Sequence, residues 1–540
     1  MNQAQSNPIL ELISRVEQRV SPIDTQLCEV YWELANTGNE ALQQKLVDLE
    51  MGMHAVYSNA ADFGTIRTAL ADATHTGETR RVLELLHNEF AGSQESEEVA
   101  RRKAQLSTSI DGDYANFRAE LSGEKLSAND ILDVLKHCSA SPVRKATWEA
   151  AKRIGPAVAP KILELVELRN RTARDLGYRD NYDMALKLQE IDEHEMLSSF
   201  RMLEELTREP FARLKAELDS KLVQRFRLSS GSELRPWHYE DTFFQEAPAI
   251  VDLDLDALFR GADLEKLTTE TFDRIGLDIR PSLAISDLYE RDSKDQHAFC
   301  MMVGRDPSRV HVLCNCRDNE SWAATMLHEY GHAVYDLGLD PQQQYFLRDC
   351  AHISTTEAIA MLFGRLTHDE AWLVDILGIE PDRAAAAAAD ARRQQSWAML
   401  LFVRWMMVMV NFERSLYADA SQDLNRLWWD LVEQFQMLTR PDNRNEPDWA
   451  TKTHIAQAPV YYQNYLLGEM TASQLKHHIE NRLGNVPLIR QPLTGPWLRE
   501  GLFRRGSRLP WNETLAELTG ERLNPRYFIE DFVQSGGVRS

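Results

Sequence analysis

Apolar side chains recur every three or four positions along most of the chain, the spacing that gathers them on one face of a helix. Ile9, Leu10, Ile13, Val16 and Val20 form such a stripe near the start, and Val82, Leu85, Leu86 and Phe90 form another. Residues 384–389 are an unbroken alanine run inside a further helical stretch, and alanine is the strongest intrinsic helix former. The 25 glycines and 20 prolines are sparse for 540 residues, which fits long helices better than a turn-rich sheet protein. The predicted fold class is all-α.

One stretch departs from the helical period. Residues 297–304 (HAFCMMVG) and 309–314 (RVHVLC) are β-prone and flank the turn-forming pair Asp306-Pro307, so a short hairpin is expected there. Length alone allows roughly three or four average domains. No repeat of fixed period and no Gly/Ser- or Pro-rich linker divides the chain, so residues 1–540 read as one unit.

Composition narrows the classes of function. Hydrophobic residues make up 43% and charged ones 26%, enough to bury a core and not the balance of a disordered chain. The 83 acidic against 60 basic side chains give a net charge of -23, which repels a phosphate backbone and argues against nucleic acid as the main partner. The six cysteines lack the density and regular spacing of a disulfide scaffold and read as reduced thiols. Cys314 and Cys316 lack the two-residue gap of a zinc turn and read as two strand residues.

The first twenty residues have no basic segment followed by an unbroken apolar run, so no secretory signal is visible. The most apolar stretch, 397–410, is interrupted by Arg404 and falls short of the roughly 20 residues a membrane span needs. A soluble, cytoplasmic protein without a membrane partner is expected.

The chemistry begins just after the hairpin. Asp318 or Asn319 can cap a helix over about 319–337, with Gly338 past its end and Pro341 preventing continuation. Within it stands His328-Glu329-Tyr330-Gly331-His332. Residues four apart lie one above the other on a helix, so both imidazoles can reach one ion while Glu329 projects beside them toward the attacking water. Gly331 marks a close approach of another element, since glycine inside a helix costs about 1 kcal/mol relative to alanine.

Zinc in a catalytic site takes a third protein ligand and keeps one position open. Glu357, which opens a second helix over about 354–368, is the candidate. The same residue also fits a capping box, Ser354-x-x-Glu357, in which it would bond its own helix start. One zinc ion per chain, on His328, His332 and Glu357, is the expected cofactor.

HEYGH and the later Glu357-Ala-Ile resemble the angiotensin-converting enzyme family of zinc peptidyl dipeptidases, and the related thimet oligopeptidase and oligoendopeptidase F families. The likeness extends to residues 32–38 (WELANTG), 83–88 (LELLHN), 166–178 (VELRNRTARDLGY), 422–430 (QDLNRLWWD) and 452–455 (KTHI). It covers most of the chain, thinly between about 200 and 290.

The resemblance implies a two-lobed, all-helical ellipsoid around a deep channel, with the hairpin forming a small sheet beside the zinc. An extended peptide adds to that sheet as another strand, and the resemblance places His297 and Ala298 on the receiving edge. The segment over about 450–470 matches the family's substrate-binding stretch. By that match His454 and Tyr465 donate to the oxyanion, Tyr461 contacts substrate, and Lys452 binds the substrate's terminal carboxylate.

The spacing to the last tyrosine is one residue longer than in angiotensin-converting enzyme, so Tyr461, Tyr462 and Tyr465 all stay open as the oxyanion donor. A family arginine linked to chloride activation is replaced by Gln463 or Asn464, which points away from chloride dependence. The implied activity is hydrolysis of short peptides with Glu329 as general base and then acid, releasing C-terminal dipeptides. The alternatives are internal cleavage of oligopeptides and a catalytically inactive helical peptide-binding or scaffold protein.

Overall fold

The computed structural model describes residues 7–251 and 254–534. Its elements are mainly helical, with two small antiparallel strand pairs among the described residues, as the apolar period predicts. The first helix, Pro8–Thr37, starts where Asn7 accepts a hydrogen bond from the Ile9 N–H at 3.0 Å and ends at Gly38, whose φ of 61° is left-handed. Its inward stripe is Ile9, Leu12, Ile13, Val16 and Val20, while Leu10 faces solvent at 52% exposure. Leu10 therefore belongs to the outer face, because Leu12 takes the core position one turn before Val16.

Three groups of buried side chains make the core. The first helix packs with the helices over residues 41–92, and Tyr345, Phe346 and Leu347 close that group. The largest group runs through residues 106–244 and 397–470. Its long element is the helix Pro381–Ala418, in which the alanine run lies. Arg404 on that helix is fully buried and donates to Glu204 Oε1 at 2.8 Å and Thr207 Oγ1 at 2.7 Å. A paired arginine in a packed helix explains the interruption in the apolar stretch 397–410. Among the described residues no helix is long and apolar enough to cross a membrane.

The remaining group is built on Met326, Leu327, Tyr330, Ile359 and Leu362. The helix Gln463–Arg482 joins it to the largest group, contributing Leu466, Leu467 and Met470 to one and Ala472, Leu475 and Ile479 to the other. The changeover falls between Met470 and Ala472, and Gly468, just before it, packs against Glu357 of the other group's helix.

The expected hairpin is present as Phe299–Met302 paired antiparallel with Val310–Leu313, Cys300 facing Val312 and Met302 facing Val310. A single parallel bridge from Asp287 covers the far side of Leu313, so the outer edge of Phe299–Met302 has no strand partner among the described residues. Cys314 and Cys316 lie just beyond the strand and not within it, where their backbone N–H groups donate to Asp287 and Leu288. The described cysteines form no disulfide. The first helix lies against the hairpin: Trp32 meets His311 with ring centroids 4.7 Å apart, and Tyr31 meets Phe299 at 5.4 Å.

Candidate metal centre

The histidine helix spans Glu320–Leu337, within one residue of the predicted start, and its cap is Asn319, whose side chain accepts from the Trp322 N–H at 2.9 Å. The glutamate helix spans Ile353–Gly364 and gives way to a 3-10 turn over Arg365–His368, so the predicted 354–368 helix changes type in its last four residues. Its cap is His352, whose Nδ1 accepts from the Ser354 N–H at 3.1 Å, with Thr355 completing the box. The Ser354–Glu357 box does not form, because the helix starts two residues earlier than that pattern requires. Glu357 is left free to face the histidines.

Glycine sets how closely the two helices approach. A Cβ on Gly331 would meet the Ala360 Cα at 2.7 Å, and one on Gly364 would meet His328 Cβ at 3.4 Å. On the other side of the glutamate helix, a Cβ on Gly468 would touch Glu357 Cβ at 3.4 Å. The close approach expected at Gly331 is thus the glutamate helix itself.

At this crossing His328 Nε2 lies 3.8 Å and His332 Nε2 4.0 Å from Glu357 Oε2. One donor atom from each of the three residues lies within 4.8 Å of the others. Donors held by one tetrahedral zinc at about 2.0–2.2 Å stand roughly 3.3 Å apart, so a small inward movement of the side chains completes the set. Burial pushes the His328 imidazole down to about 4, and burial with the neighbouring His328 pushes His332 down to about 3. Both rings are therefore neutral at pH 7, the form in which histidine binds a metal. With Nε2 toward the ion, His332 Nδ1 carries the hydrogen and donates to Thr356 Oγ1 at 2.7 Å.

Glu329 is 7% exposed and sits beside the hairpin. Burial and the charge of Glu357 raise its carboxyl to about 8, while a hydrogen bond from the Cys300 N–H acts the other way. A dication at the three donors also acts the other way. His297 stands exposed just before this strand, its N–H donating to Asp295 Oδ1 at 3.0 Å, and Ala298 packs half-buried against the core of the histidine helix.

The tyrosines divide. Tyr461 and Tyr465 are half-buried with ring centroids 5.3 Å apart, and after burial the charge of Glu357 contributes to raising the pKa of each. Tyr462 is 6% exposed and packs in the largest core against Trp405, centroids 6.2 Å apart. His454 lies against Tyr462 at 4.8 Å between centroids, and burial with the Lys452 charge brings it down to about 4. Lys452 is 8% exposed and donates to Gln245 Oε1 at 2.7 Å.

Residues 282–534 match peptidase family M3. The matched stretch contains both helices, Glu329 and the whole tyrosine segment, so the M3 match and the geometric cluster coincide. The chain is also 22% identical over 415 residues to thermostable carboxypeptidase 1 of Pyrococcus furiosus, covering 71% of this chain and 75% of that one. It is 24% identical over 259 residues to carboxypeptidase 1 of Bacillus subtilis, covering 43% and 51%. The angiotensin-converting enzyme-like protein Ace3 of Mus musculus is 32% identical over 117 residues, 20% of this chain and 16% of that protein. The M3 match supports a metallopeptidase domain and does not single out the angiotensin-converting enzyme family.

Three residues of the cluster escaped the sequence reading. Thr356 is one of the two unnamed positions between Ser354 and Glu357, and a hydroxyl one position before a candidate ligand was the available signal. Cys300 acts through its backbone, which no side chain announces. Gln245 lies 207 positions from Lys452 in the thinly matched region, and nothing local points to it.

Proposed function

We propose that the chain is a zinc-dependent peptidase that hydrolyses short peptides and releases dipeptides from their C-termini. The observation that carries this reading is one cluster of two neutral imidazoles, a carboxylate and a flanking buried glutamate, faced by two tyrosines. The site lies where the two cores meet, which supports a cleft between lobes, and short unstructured peptides suit such a cleft.

His328, His332 and Glu357 would hold the zinc, which when bound would supply Lewis acidity toward the scissile carbonyl and a water nucleophile at neutral pH. Glu329 takes the proton of the attacking water and hands it to the leaving amine. The Cys300 N–H holds the Glu329 carboxylate in place. Tyr465, with His454, donates to the developing oxyanion, and Tyr461 contacts the substrate beside it. The peptide backbone adds as a strand beside His297 and Ala298, at the start of the Phe299–Met302 edge that has no strand partner among the described residues. Lys452, held by Gln245, reads the substrate's free carboxylate. A buried glutamate and two tyrosines beside the His-His-Glu cluster speak against an inactive scaffold.

A second reading is favoured by the two relatives named carboxypeptidases: the same carboxylate reader one residue nearer the scissile bond releases single amino acids. The test is elemental analysis of the purified protein together with hydrolysis of a mixed peptide library followed by mass spectrometry. One zinc per chain and products shortened by two residues are expected. Products shortened by one residue replace the dipeptidase reading with the carboxypeptidase one, internal cuts replace it with the oligoendopeptidase one, and activity without metal overturns the proposal.

A further inference from the structure

Val460 stands at φ 51°, in the left-handed region, immediately before Tyr461. A β-branched side chain crowds its own backbone there, and a buried valine keeps the conformation only where surrounding groups over-determine it. Val460 is 1% exposed, so water does not supply those groups.

The groups come from two helices and from Gln189, just past the end of a third, Asn181–Leu188. The Val460 N–H donates to Glu413 Oε1 at 2.9 Å, and Glu413 projects from the Pro381–Ala418 helix at 1% exposure. The Val460 carbonyl accepts from Gln463 Nε2 at 2.6 Å and from Gln189 Nε2 at 3.2 Å. Gln189 in turn accepts from Asn464 Nδ2 at 2.8 Å. Four residues earlier, the Ala456 carbonyl accepts from Arg169 at 2.8 Å, and Arg169 belongs to the Ile154–Asp175 helix. Both ends of the stretch between His454 and Tyr461 are therefore tied to long core helices.

This turn decides where the tyrosines go. It leads straight into the Gln463–Arg482 helix, which meets Glu357 at Gly468, and Tyr461, just before that helix, and Tyr465, in its first turn, both lie near enough to Glu357 for its charge to act on them. Rotating Val460 to an ordinary φ redirects the chain before both rings. We propose that Glu413 is a positioning residue, which holds the left-handed turn at Val460 and so keeps Tyr461 and Tyr465 over the metal centre. The inference rests on the peptidase reading for its catalytic consequence, and on the hydrogen bonds alone for its structural one.

Burial raises the Glu413 carboxyl to about 8, so at neutral pH it is mostly the neutral acid. Glutamine reproduces that shape and the acceptor oxygen, whereas alanine removes both. Glu413→Ala is expected to lower kcat by roughly ten- to a hundredfold with KM changed less than about threefold and zinc content unchanged. Glu413→Gln is expected to stay within about threefold of wild type. In a Val460→Gly background, where the left-handed φ is free of strain, Glu413→Ala is expected to cost less than about threefold further.

A readout independent of turnover accompanies these: hydrogen exchange of the peptide covering residues 456–465, expected to quicken at least about tenfold at Val460 in Glu413→Ala and not in Glu413→Gln. Unchanged kcat in Glu413→Ala, an equal loss in Glu413→Gln, or an equal loss in both Val460 backgrounds overturns the inference. Should Glu413→Ala fail to fold, Glu413→Gln and Val460→Gly remain: glutamine losing kcat tenfold or more overturns it. A wild-type protein that hydrolyses no peptide overturns the peptidase reading instead, and exchange at Val460 then decides the positioning role by itself.

Discussion

Gly331 and Ala360 set the distance between the histidine helix and the glutamate helix: a Cβ on Gly331 would lie 2.7 Å from the Ala360 Cα and 3.1 Å from its nitrogen. Both obstructing atoms are backbone, so they cannot swing aside as a side chain can. The two donors of the histidine helix reach Glu357 only because this contact carries no methyl group.

Gly331→Ala is therefore expected to push the glutamate helix away. Alanine gains about 1 kcal/mol of helix propensity, but overpacking against a backbone costs about 1–3 kcal/mol and spreads the donors. The expected outcome is zinc bound at least about tenfold more weakly, with a lowered Tm, measured by competitive chelation and thermal unfolding. An unchanged zinc affinity would mean that the helices do not need this spacing to bring Glu357 to the histidines.

The proposed ligands and the proposed base separate on different measurements. Glu329→Gln is expected to abolish turnover while leaving one zinc per chain, because its proposed role is on water and not on the metal. Glu357→Gln is expected to lose zinc on dialysis. Thr356→Val removes the hydroxyl that accepts from His332 Nδ1 and is expected to lower zinc affinity by about 10- to 100-fold. Elemental analysis after dialysis, beside peptide turnover, distinguishes the three. Full zinc retention and activity in Glu357→Gln would remove that residue from the metal site.

How much of this was legible in sequence follows from how local each feature is. His328 and His332 share a face because four residues make about one turn, a property of the backbone that needs no fold. The hairpin, the Asn319 cap and Gly338 at the helix end are equally local. Glu357 was ambiguous because its role depends on a helix start two residues away: with His352 as cap the glutamate is free, and with Ser354 as cap it would not be. Gly331 carried the tertiary signal without naming its partner. The pairs Gln245 with Lys452 and Glu413 with Val460 were illegible, since each is made by folding alone across 207 and 47 positions. The short strand pair Ala119–Leu121 with Glu124–Leu126 was missed for a different reason: three residues carry no readable period.

The oxyanion donor is a choice the geometry narrows. Tyr462 packs into the core against Trp405, whereas Tyr461 and Tyr465 both feel the Glu357 charge. Tyr465→Phe is expected to lower kcat by about 10²- to 10³-fold, the loss on removing one oxyanion donor, with little change in folding. Tyr461→Phe is expected to raise KM more than it lowers kcat, and Tyr462→Phe is expected to change neither beyond a few-fold. A larger kcat loss at Tyr461 than at Tyr465 would exchange their roles.

Lys452 gives the prediction with the clearest pH signature. Burial pulls its ammonium down to about 8, opposed by Asp241 and Glu246, so the charged form predominates at pH 7 and is lost as pH rises through 8. A neutral amine cannot clamp a carboxylate, and kcat/KM reports the free enzyme. For free-acid peptides kcat/KM is therefore expected to fall above about pH 8, while for the same peptides with an amidated C-terminus it starts lower and lacks that limb. A hydrogen bond to a charged group is worth about 1.5–3 kcal/mol, so amidation at pH 7 is expected to cost roughly ten- to a hundredfold. Lys452→Ala is expected to impose the same penalty on free acids and almost none on amides, and to flatten the alkaline limb. Gln245→Leu is expected to act in the same direction more weakly, since it removes the group that holds Lys452 in place and leaves the charge. Parallel alkaline limbs for free acids and amides in the wild-type enzyme would mean that Lys452 does not read the terminal carboxylate, and would favour internal cleavage of oligopeptides by the same metal centre.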